Sequence, residues 1–294
     1  MLRLTGAMTA IITPFKNGAM DEDALRALVE RQIEGGISAL VPCGTTGEAV
    51  TLTDAERFEV IRITVEQGAG RVPIIAGTGT NDTRQSIELT RKARELGADA
   101  TLAVCPPYNK PNQEGLFQHF SAIATAGLPV VLYNVPGRTV VSLTAETLGR
   151  LSHVEGIVAI KEATADLKLA TEMMALAGDR MTFLSGDDFT TFPFVTIGGH
   201  GCISVVSNLD PALLAQLVEA GRRGDLEQGR AMHRKVVRLA NLAFCDSNPA
   251  PIKWMLQELG LCDGALRLPL VAVDEARKAR IHRGLVEEGY LPTP

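Results

Sequence analysis

The residue best placed for chemistry is a lysine at the end of an apolar run. Lys161 follows the four apolar residues 157–160, a pattern typical of a buried parallel strand. Burial disfavours the charged form of an amine, and the neutral form is the one that attacks a carbonyl carbon. The alternative is that the chain leaves the core here and that Lys161 extends into water. Position alone leaves both interpretations open.

Polar side chains that could support a reactive amine follow several other apolar runs. A phenol can pass a proton, a guanidinium binds a carboxylate at two points, and two hydroxyls between glycines offer donors to a small carboxylate. Packing or an ordinary turn explains each residue taken singly. Their joint occurrence, with two of the three tyrosines included, favours a Schiff-base enzyme acting on carboxylated carbonyl compounds. The residues are Thr45, Thr46, Tyr108, Tyr133 and Arg138.

Eight short apolar runs alternate with amphipathic stretches of helical period, which predicts parallel strands joined by helices. Eight such units close a (β/α)8 TIM barrel, whose functional groups gather at the C-terminal ends of the strands. The predicted strands are residues 8–13, 39–43, 73–77, 100–105, 129–133, 157–161, 182–185 and 202–206. The predicted helices are residues 21–32, 53–67, 83–96, 114–125, 145–151, 167–177 and 211–222, with a less regular segment at 188–197.

Helical patterns continue after the eighth strand, near residues 226–244, 252–259 and 272–287. We therefore expect a catalytic barrel at residues 1–223 and a C-terminal helical extension at residues 224–294. Lys253 lies in this extension and is expected to be structural. Asp187 and Asp188 follow the seventh strand, where helix N-capping is the expected role.

Composition excludes several classes of protein. The net charge of −5, without a basic run, disfavours nucleic acid as a partner. No apolar run approaches the length of a membrane span, and residues 1–6 do not resemble a signal peptide. The five cysteines are widely spaced without a Cys-x-x-Cys pair, and the five histidines show no metal-ligand spacing. We expect a cytoplasmic protein without a metal.

The chain resembles the dihydrodipicolinate synthase (4-hydroxy-tetrahydrodipicolinate synthase) family of pyruvate-dependent class I aldolases, in the N-acetylneuraminate lyase superfamily. The arginine after Tyr-Asn-Val-Pro-Gly favours this family over the sialic-acid lyases and keto-deoxy-sugar aldolases. The resemblance covers nearly the whole chain. It rests on residues 44–48, 107–111, 133–139, 160–163 and 248–253.

This resemblance implies a reaction at Lys161. The lysine would form an imine with pyruvate, and the derived enamine would attack L-aspartate-4-semialdehyde to give 4-hydroxy-tetrahydrodipicolinate in the diaminopimelate pathway of lysine biosynthesis. Residues matching Thr45, Tyr133 and Tyr108 form a hydroxyl relay in the family, which suits the weakness of threonine alone as an acid or base. No metal or organic cofactor is implied.

The resemblance also implies binding roles and an assembly. Thr46 would hold the pyruvate carboxylate and Arg138 the semialdehyde carboxylate, while backbone groups at Gly186 and Ile203 would complete the pocket. Tyr108 would reach the site of a neighbouring subunit, in a homotetramer built as a dimer of dimers.

The chain departs from the family at the positions that bind inhibitory L-lysine. Sensitive members typically offer a serine, two histidines, a glutamate and a tyrosine there, and only Asn81 is a clear polar match here. Without an acid at Gln85, the ligand's ammonium would lack its counter-charge in a partly dry cleft. Weak or absent feedback is therefore expected. The matching positions are Ala49, Val50, Asp54, Arg57, Asn81, Gln85 and Pro107.

Two other functions stay open at this point. The chain could be another pyruvate-dependent lyase that cleaves a keto-deoxy sugar acid, in which case Arg138 would be dispensable. It could also be a barrel that binds a keto acid as a sensor without catalysis. The second is disfavoured because binding alone does not need Lys161, two tyrosines and a threonine.

Overall fold

The computed structural model describes residues 4–293 and contains a parallel barrel of eight strands. Around the ring, the strands hydrogen bond in the order Ala39–Val41, Gly6–Ala10, Gly201–Ser204, Thr182–Ser185, Ile157–Glu162, Val130–Asn134, Ala100–Val104 and Ile75–Gly77, and a parallel bridge between Leu40 and Ile74 closes the ring. The (β/α)8 prediction is confirmed, and each predicted strand overlaps an observed one. They are β1 Gly6–Ala10, β2 Ala39–Val41, β3 Ile75–Gly77, β4 Ala100–Val104, β5 Val130–Asn134, β6 Ile157–Glu162, β7 Thr182–Ser185 and β8 Gly201–Ser204.

Helices follow the strands as the amphipathic pattern predicts. At the start of α2, Thr53 Oγ1 accepts from Glu56 N at 3.2 Å while Glu56 Oε2 accepts from Thr53 N at 2.9 Å, which completes a capping box. The irregular seventh crossover forms only the short helix α8. The helices of the barrel are α1 Glu22–Glu34, α2 Asp54–Gly68, α3 Thr83–Glu95, α4 Gln113–Ala124, α5 Pro136–Thr139, α6 Ala145–Leu151, α7 Leu167–Ala177, α8 Thr191–Thr196 and α9 Pro211–Arg223.

Several short elements among the described residues were not predicted, a hairpin and a one-turn helix among them. A hairpin pairs Phe15–Lys16 with Ala19–Met20, and α5 is a single turn after β5. Both are too short for apolar periodicity to reveal them. Helix α5 carries Arg138 at the C-terminal rim of the barrel.

Apolar side chains fill the barrel below the rim, so the interior is packed rather than open. This leaves the C-terminal mouth as the place where a small molecule can enter. The filling side chains include Met8, Val41, Ile75, Leu102, Val131, Ala159, Leu184 and Ile203.

In the described part of the extension, residues 224–293, three further helices follow the barrel: α10 Leu226–Ala243, α11 Ala250–Glu258 and α12 Glu275–Glu287. The predicted boundary at residues 223/224 falls in the turn between α9 and α10 and stays a prediction. Within residues 4–293, no helix combines the length and apolar character that crossing a membrane requires. Over the same residues, no cluster of three or more His, Cys, Asp or Glu side chains is arranged to hold a metal ion.

The buried His119, which lies on α4 and hydrogen bonds to Thr83 of α3, should make stability depend on pH. Burial lowers the pKa of His119 from its ordinary 6.5 to about 4, although the Asp82 carboxylate opposes this shift. Between these two pH values the unfolded chain binds a proton that the folded chain does not. The free energy of unfolding should therefore fall as the pH drops from 6.5 to 4, by up to about 3 kcal/mol.

Urea unfolding of the wild type and of His119→Gln across this pH range checks this expectation. The variant should show a smaller decline than the wild type, because glutamine does not titrate, and His233, whose pKa burial also lowers, should account for part of what remains. Equal slopes of unfolding free energy against pH in the two proteins would show that His119 is not the source.

Candidate active site

Lys161 lies inside the mouth of the barrel rather than in bulk water. It is the fifth residue of β6 and is only 5% exposed. In the register of β5 and β6 it pairs with Tyr133, and its Nζ lies 4.4 Å from the centroid of the Tyr133 ring. The interpretation that Lys161 extends into water is therefore wrong. Its amine faces a phenol in a largely dry environment.

A glycine on the neighbouring strand end makes room for the lysine. A Cβ atom built on Gly186 would lie 2.9 Å from both Cγ and Cε of Lys161 and 2.7 Å from Cβ of Ala163. Contacts this short do not occur between real side chains. Gly186 is thus required for the observed path of the lysine stem.

A buried polar clamp holds the ends of β5 and β6 together. Asn134 Nδ2 donates to Glu162 Oε2 at 2.8 Å, and Thr164 N donates to Glu162 Oε1 at 2.6 Å. Asn134 Oδ1 accepts from Leu143 N at 3.0 Å. Burial raises the pKa of the Glu162 carboxyl, against the lowering effect of these hydrogen bonds. Because Asn134 and Glu162 follow Tyr133 and Lys161 directly, the clamp fixes the register that brings amine and phenol together.

The rim encloses a cavity of about 150 Å³, a size suited to a small keto acid. An apolar cavity of about 320 Å³ adjoins it and shares Thr45, Tyr133 and Arg138 with it. The structure therefore brings six of the eight predicted site residues together around one space. These six are Thr45, Thr46, Tyr133, Arg138, Lys161 and Gly186.

The other two predicted residues do not line this cavity. Ile203 is 1% exposed and belongs to the packed interior, while the cavity wall on that side is formed by Val205, two residues further along the chain. Tyr108 is 90% exposed on the loop after β4. This loop has left-handed backbone at Tyr108 and Lys110, with φ of 76° and 48°. Within one chain, the Tyr108 phenol does not enter the site.

Sequence reasoning missed the contribution of the C-terminal extension. Asn248 lines the cavity, and its Nδ2 donates to Thr46 Oγ1 at 3.0 Å. Its backbone oxygen accepts from Arg138 Nη2 at 3.2 Å. The Asn-Pro-Ala-Pro motif at residues 248–251 was a sequence signal for a functional role. Because it lies beyond the barrel, its contact with the rim could not be inferred from the sequence. Phe244 and Asp187 also line the cavity.

The capping prediction for the two aspartates needs correction. Asp187 Oδ2 accepts from Thr190 N at 2.9 Å, so it orders the turn before α8, whose N-cap is Thr190. Asp188 is buried and accepts from Val205 N and Val206 N, at 3.0 and 3.2 Å. Its carboxylate therefore fixes the backbone just after β8, and it does not cap α8, the helix that follows it in the chain. Burial raises its pKa.

The arrangement suits chemistry on a carbonyl compound. A desolvated amine can add to a carbonyl carbon, an adjacent phenol can exchange protons, and hydroxyl and guanidinium donors can bind carboxylates. Fold and rim together define a (β/α)8-barrel enzyme with a lysine at the end of its sixth strand.

Comparison with known proteins identifies the family to which this barrel belongs. The model of the Dihydrodipicolinate synthetase family matches residues 3–288. The 4-hydroxy-tetrahydrodipicolinate synthase of Geobacter sp. (strain M21) is 52% identical over 277 residues, which cover 94% of this chain and 96% of that protein. The chain belongs to the dihydrodipicolinate synthetase family, whose members are lyases.

Solved structures agree with this family. The chloride-inhibited dihydrodipicolinate synthase from Acinetobacter baumannii, complexed with pyruvate, superposes with a TM-score of 0.96 at 43% identity, covering 98% of this chain and 100% of that one. The synthase from Cyanidioschyzon merolae with lysine bound gives a TM-score of 0.95 at 36% identity, covering 98% and 99%.

Proposed function

We propose that the protein condenses pyruvate with L-aspartate-4-semialdehyde, through an imine on Lys161, to give 4-hydroxy-tetrahydrodipicolinate. The observation that carries the proposal is the Lys161 amine, 5% exposed and 4.4 Å from the Tyr133 ring, at the base of a small polar-rimmed cavity. Membership of the family and the pyruvate complex of the Acinetobacter baumannii relative support this choice of keto acid.

The proposed reaction needs no oxidant, reductant or cofactor. The amine of Lys161 adds to the ketone carbon of pyruvate, and loss of water gives the imine. Transfer of a proton from the methyl carbon to the imine nitrogen gives the enamine. The enamine carbon forms a bond to the aldehyde carbon of the second substrate, the aldehyde oxygen takes up a proton to become the hydroxyl, and loss of the N–H proton restores the imine. The amino group of that substrate then attacks the imine carbon, closes the ring and releases Lys161 as a free amine.

The two carboxylate-binding residues lie at different depths. Thr46 is 3% exposed inside the cavity, whereas Arg138 is exposed at its mouth. We assign pyruvate to the inner position at Thr46, next to Lys161, and the semialdehyde carboxylate to Arg138. This order suits a reaction in which pyruvate must become attached before the aldehyde arrives.

Proton transfer is assigned to Thr45, Tyr133 and the Tyr108 of a neighbouring subunit. Tyr133 is 7% exposed, so an inner phenol needs an outer partner to exchange protons with water. Tyr108 projects away from its own cavity with 90% of its surface free. An assembly that inserts this phenol into a second site would complete the relay, and we propose the homotetramer as that assembly.

A substrate comparison tests the proposed function. Purified protein should consume pyruvate together with L-aspartate-4-semialdehyde and should not cleave N-acetylneuraminate. The Arg138 guanidinium supports this preference because it offers a bidentate site to the semialdehyde carboxylate. Cleavage of N-acetylneuraminate or of a keto-deoxy sugar acid, with no condensation, would assign the protein to a related lyase instead.

We also propose that feedback by L-lysine is weak or absent. Ala49, Val50 and Pro107 present an apolar wall in the adjoining cavity. The nearby Arg57 guanidinium is buried and bonded to the backbone oxygen of Ala49 at 2.9 Å. An apolar wall backed by a fixed cation does not suit a ligand that carries two ammonium groups. An inhibition constant for L-lysine above about 1 mM, or binding weaker than about −4 kcal/mol, is expected.

Inhibition assays across a lysine titration check this expectation. A constant well below about 1 mM would show that the remaining polar groups, with Asn81 among them, still form a lysine site.

A further inference from the structure

The proposed reaction leaves unused a buried ion pair between the C-terminal extension and the barrel. Lys253, from α11, is 0% exposed and its Nζ pairs with Glu48 Oε1, while Glu48 itself is 2% exposed. Lys253 Nζ also donates to the backbone oxygen of Ala265 at 2.8 Å. The other carboxylate oxygen of Glu48 accepts from Arg267 N at 3.1 Å. The pair thus joins the end of the turn at residues 44–48 to the extension.

This turn does not adopt its shape through ordinary local preferences. Cys43 and Glu48 both have left-handed backbone, with φ of 57° and 51°, and neither is a glycine. Such conformations are uncommon for these residue types and persist where surrounding contacts impose them. The two residues bracket the segment that carries Thr45 and Thr46. Contacts from outside the turn are therefore expected to hold it in place.

A hydrogen bond links Glu48 directly to Thr45, and Thr46 is bonded separately to the extension. The backbone N–H of Glu48 donates to the backbone oxygen of Thr45 at 3.0 Å. Thr13 Oγ1 donates to the oxygen of Gly47 at 2.8 Å and holds the middle of the turn from the barrel side. The extension reaches the turn a second time through the bond from Asn248 to Thr46. A shift of the Glu48 carboxylate would displace Thr45 and Thr46 relative to Lys161.

We propose that Glu48 and Lys253 are a positioning pair through which the C-terminal extension holds Thr45 and Thr46 in the geometry needed to bind and activate pyruvate. This proposal rests on the proposed function, which assigns Thr46 to the pyruvate carboxylate. Neither residue lines the inner cavity at Lys161, where pyruvate is placed, and only Glu48 borders the adjoining cavity. The effect of the pair should therefore appear in the kinetics of pyruvate more than in those of the aldehyde.

A double variant separates positioning from stability. Removing one partner leaves a buried charge without its counter-charge, which destabilises a protein strongly, whereas neutralising both partners at similar volume is often tolerated. The double variant is Glu48→Gln with Lys253→Met. The matched control is Glu56→Gln with Arg267→Met. This pair is partly exposed and joins the same loop of the extension to α2. The backbone N–H that Arg267 donates to Glu48 remains in this control.

Steady-state kinetics and thermal unfolding of both double variants test the proposal. The Glu48/Lys253 variant should fold with a Tm close to that of the control. Its KM for pyruvate should rise roughly tenfold and its kcat/KM for pyruvate should fall by 10- to 100-fold, because a misplacement of about 1 Å has effects of this size. Its KM for the aldehyde should stay within about twofold, and the control should keep wild-type kinetics. Wild-type pyruvate kinetics in the Glu48/Lys253 variant would overturn the proposal.

Glu48→Asp provides a second test if the double variant fails to fold. It keeps the carboxylate but shortens it by one methylene, so a smaller rise in the KM for pyruvate is expected, and an unchanged value would count against the proposal. Borohydride trapping of wild-type protein with pyruvate separates this question from the proposed function. Without a wild-type adduct the proposed function fails, whereas an adduct combined with unaffected variants overturns only the positioning role.

Discussion

Replacing Lys161 by alanine is expected to lower kcat/KM for the condensation by about 10⁴-fold or more and to abolish covalent capture of pyruvate. Without the amine no imine forms, and no other lysine lines the cavity in the described part of the chain. Effects of this size are typical when the nucleophile of a covalent mechanism is removed. Assays with pyruvate and L-aspartate-4-semialdehyde measure the loss.

Lys168→Ala is the matched control for this variant. Lys168 lies on the outer surface with 84% of its side chain exposed and makes only a long ion pair of 3.7 Å with Glu172. Its removal should leave kcat/KM unchanged. If Lys161→Ala retained more than about 1% of wild-type activity, the covalent role of Lys161 would be wrong.

Replacing Tyr133 by phenylalanine is expected to lower kcat by 10²- to 10⁴-fold, the range typical of a lost acid–base group. The ring would still pack at 4.4 Å from Lys161 Nζ, so pyruvate binding should change little. The loss should therefore appear mainly in kcat and only weakly in the KM for pyruvate. Steady-state kinetics with each substrate varied in turn distinguish these two effects.

Tyr290→Phe is the control with the same chemical change. Tyr290 Oη donates to the Asp210 carboxylate and lies in the C-terminal segment, outside the catalytic cavity. Its kcat should stay at the wild-type value even if some stability is lost. A Tyr133→Phe enzyme with wild-type kcat would mean that another group transfers the proton.

The barrel and the position of Lys161 at its rim were predictable because each depends on local patterns. Buried parallel strands produce continuous apolar runs, and eight of them alternating with helices admit few other folds. A lysine directly after such a run must lie at the C-terminal rim once the barrel closes. The same reasoning placed Thr45, Thr46, Tyr133 and Arg138 at the rim, and all four line the observed cavity.

The remaining parts of the site depend on long-range contacts that periodicity does not encode. Asn248 reaches Thr46 across a separation of 202 residues, and Lys253 reaches Glu48 from the same extension. Ile203 illustrates a different limit: it belongs to the packed interior, and Val205, which lines the cavity, lies two positions further along, just past the end of β8. The period of two in a strand predicts the face that a side chain takes but not its depth in the barrel. Tyr108 shows a third, because its predicted role concerns a neighbouring subunit and not its own chain.

The most direct test of the central claim is reduction of the wild-type enzyme with borohydride in the presence of pyruvate, followed by mass analysis of its peptides. The proposed mechanism predicts one reduced pyruvate adduct, located on Lys161 and absent when pyruvate is withheld. An enzyme that catalyses the condensation but carries no adduct on Lys161, or carries it on another lysine, would contradict the mechanism.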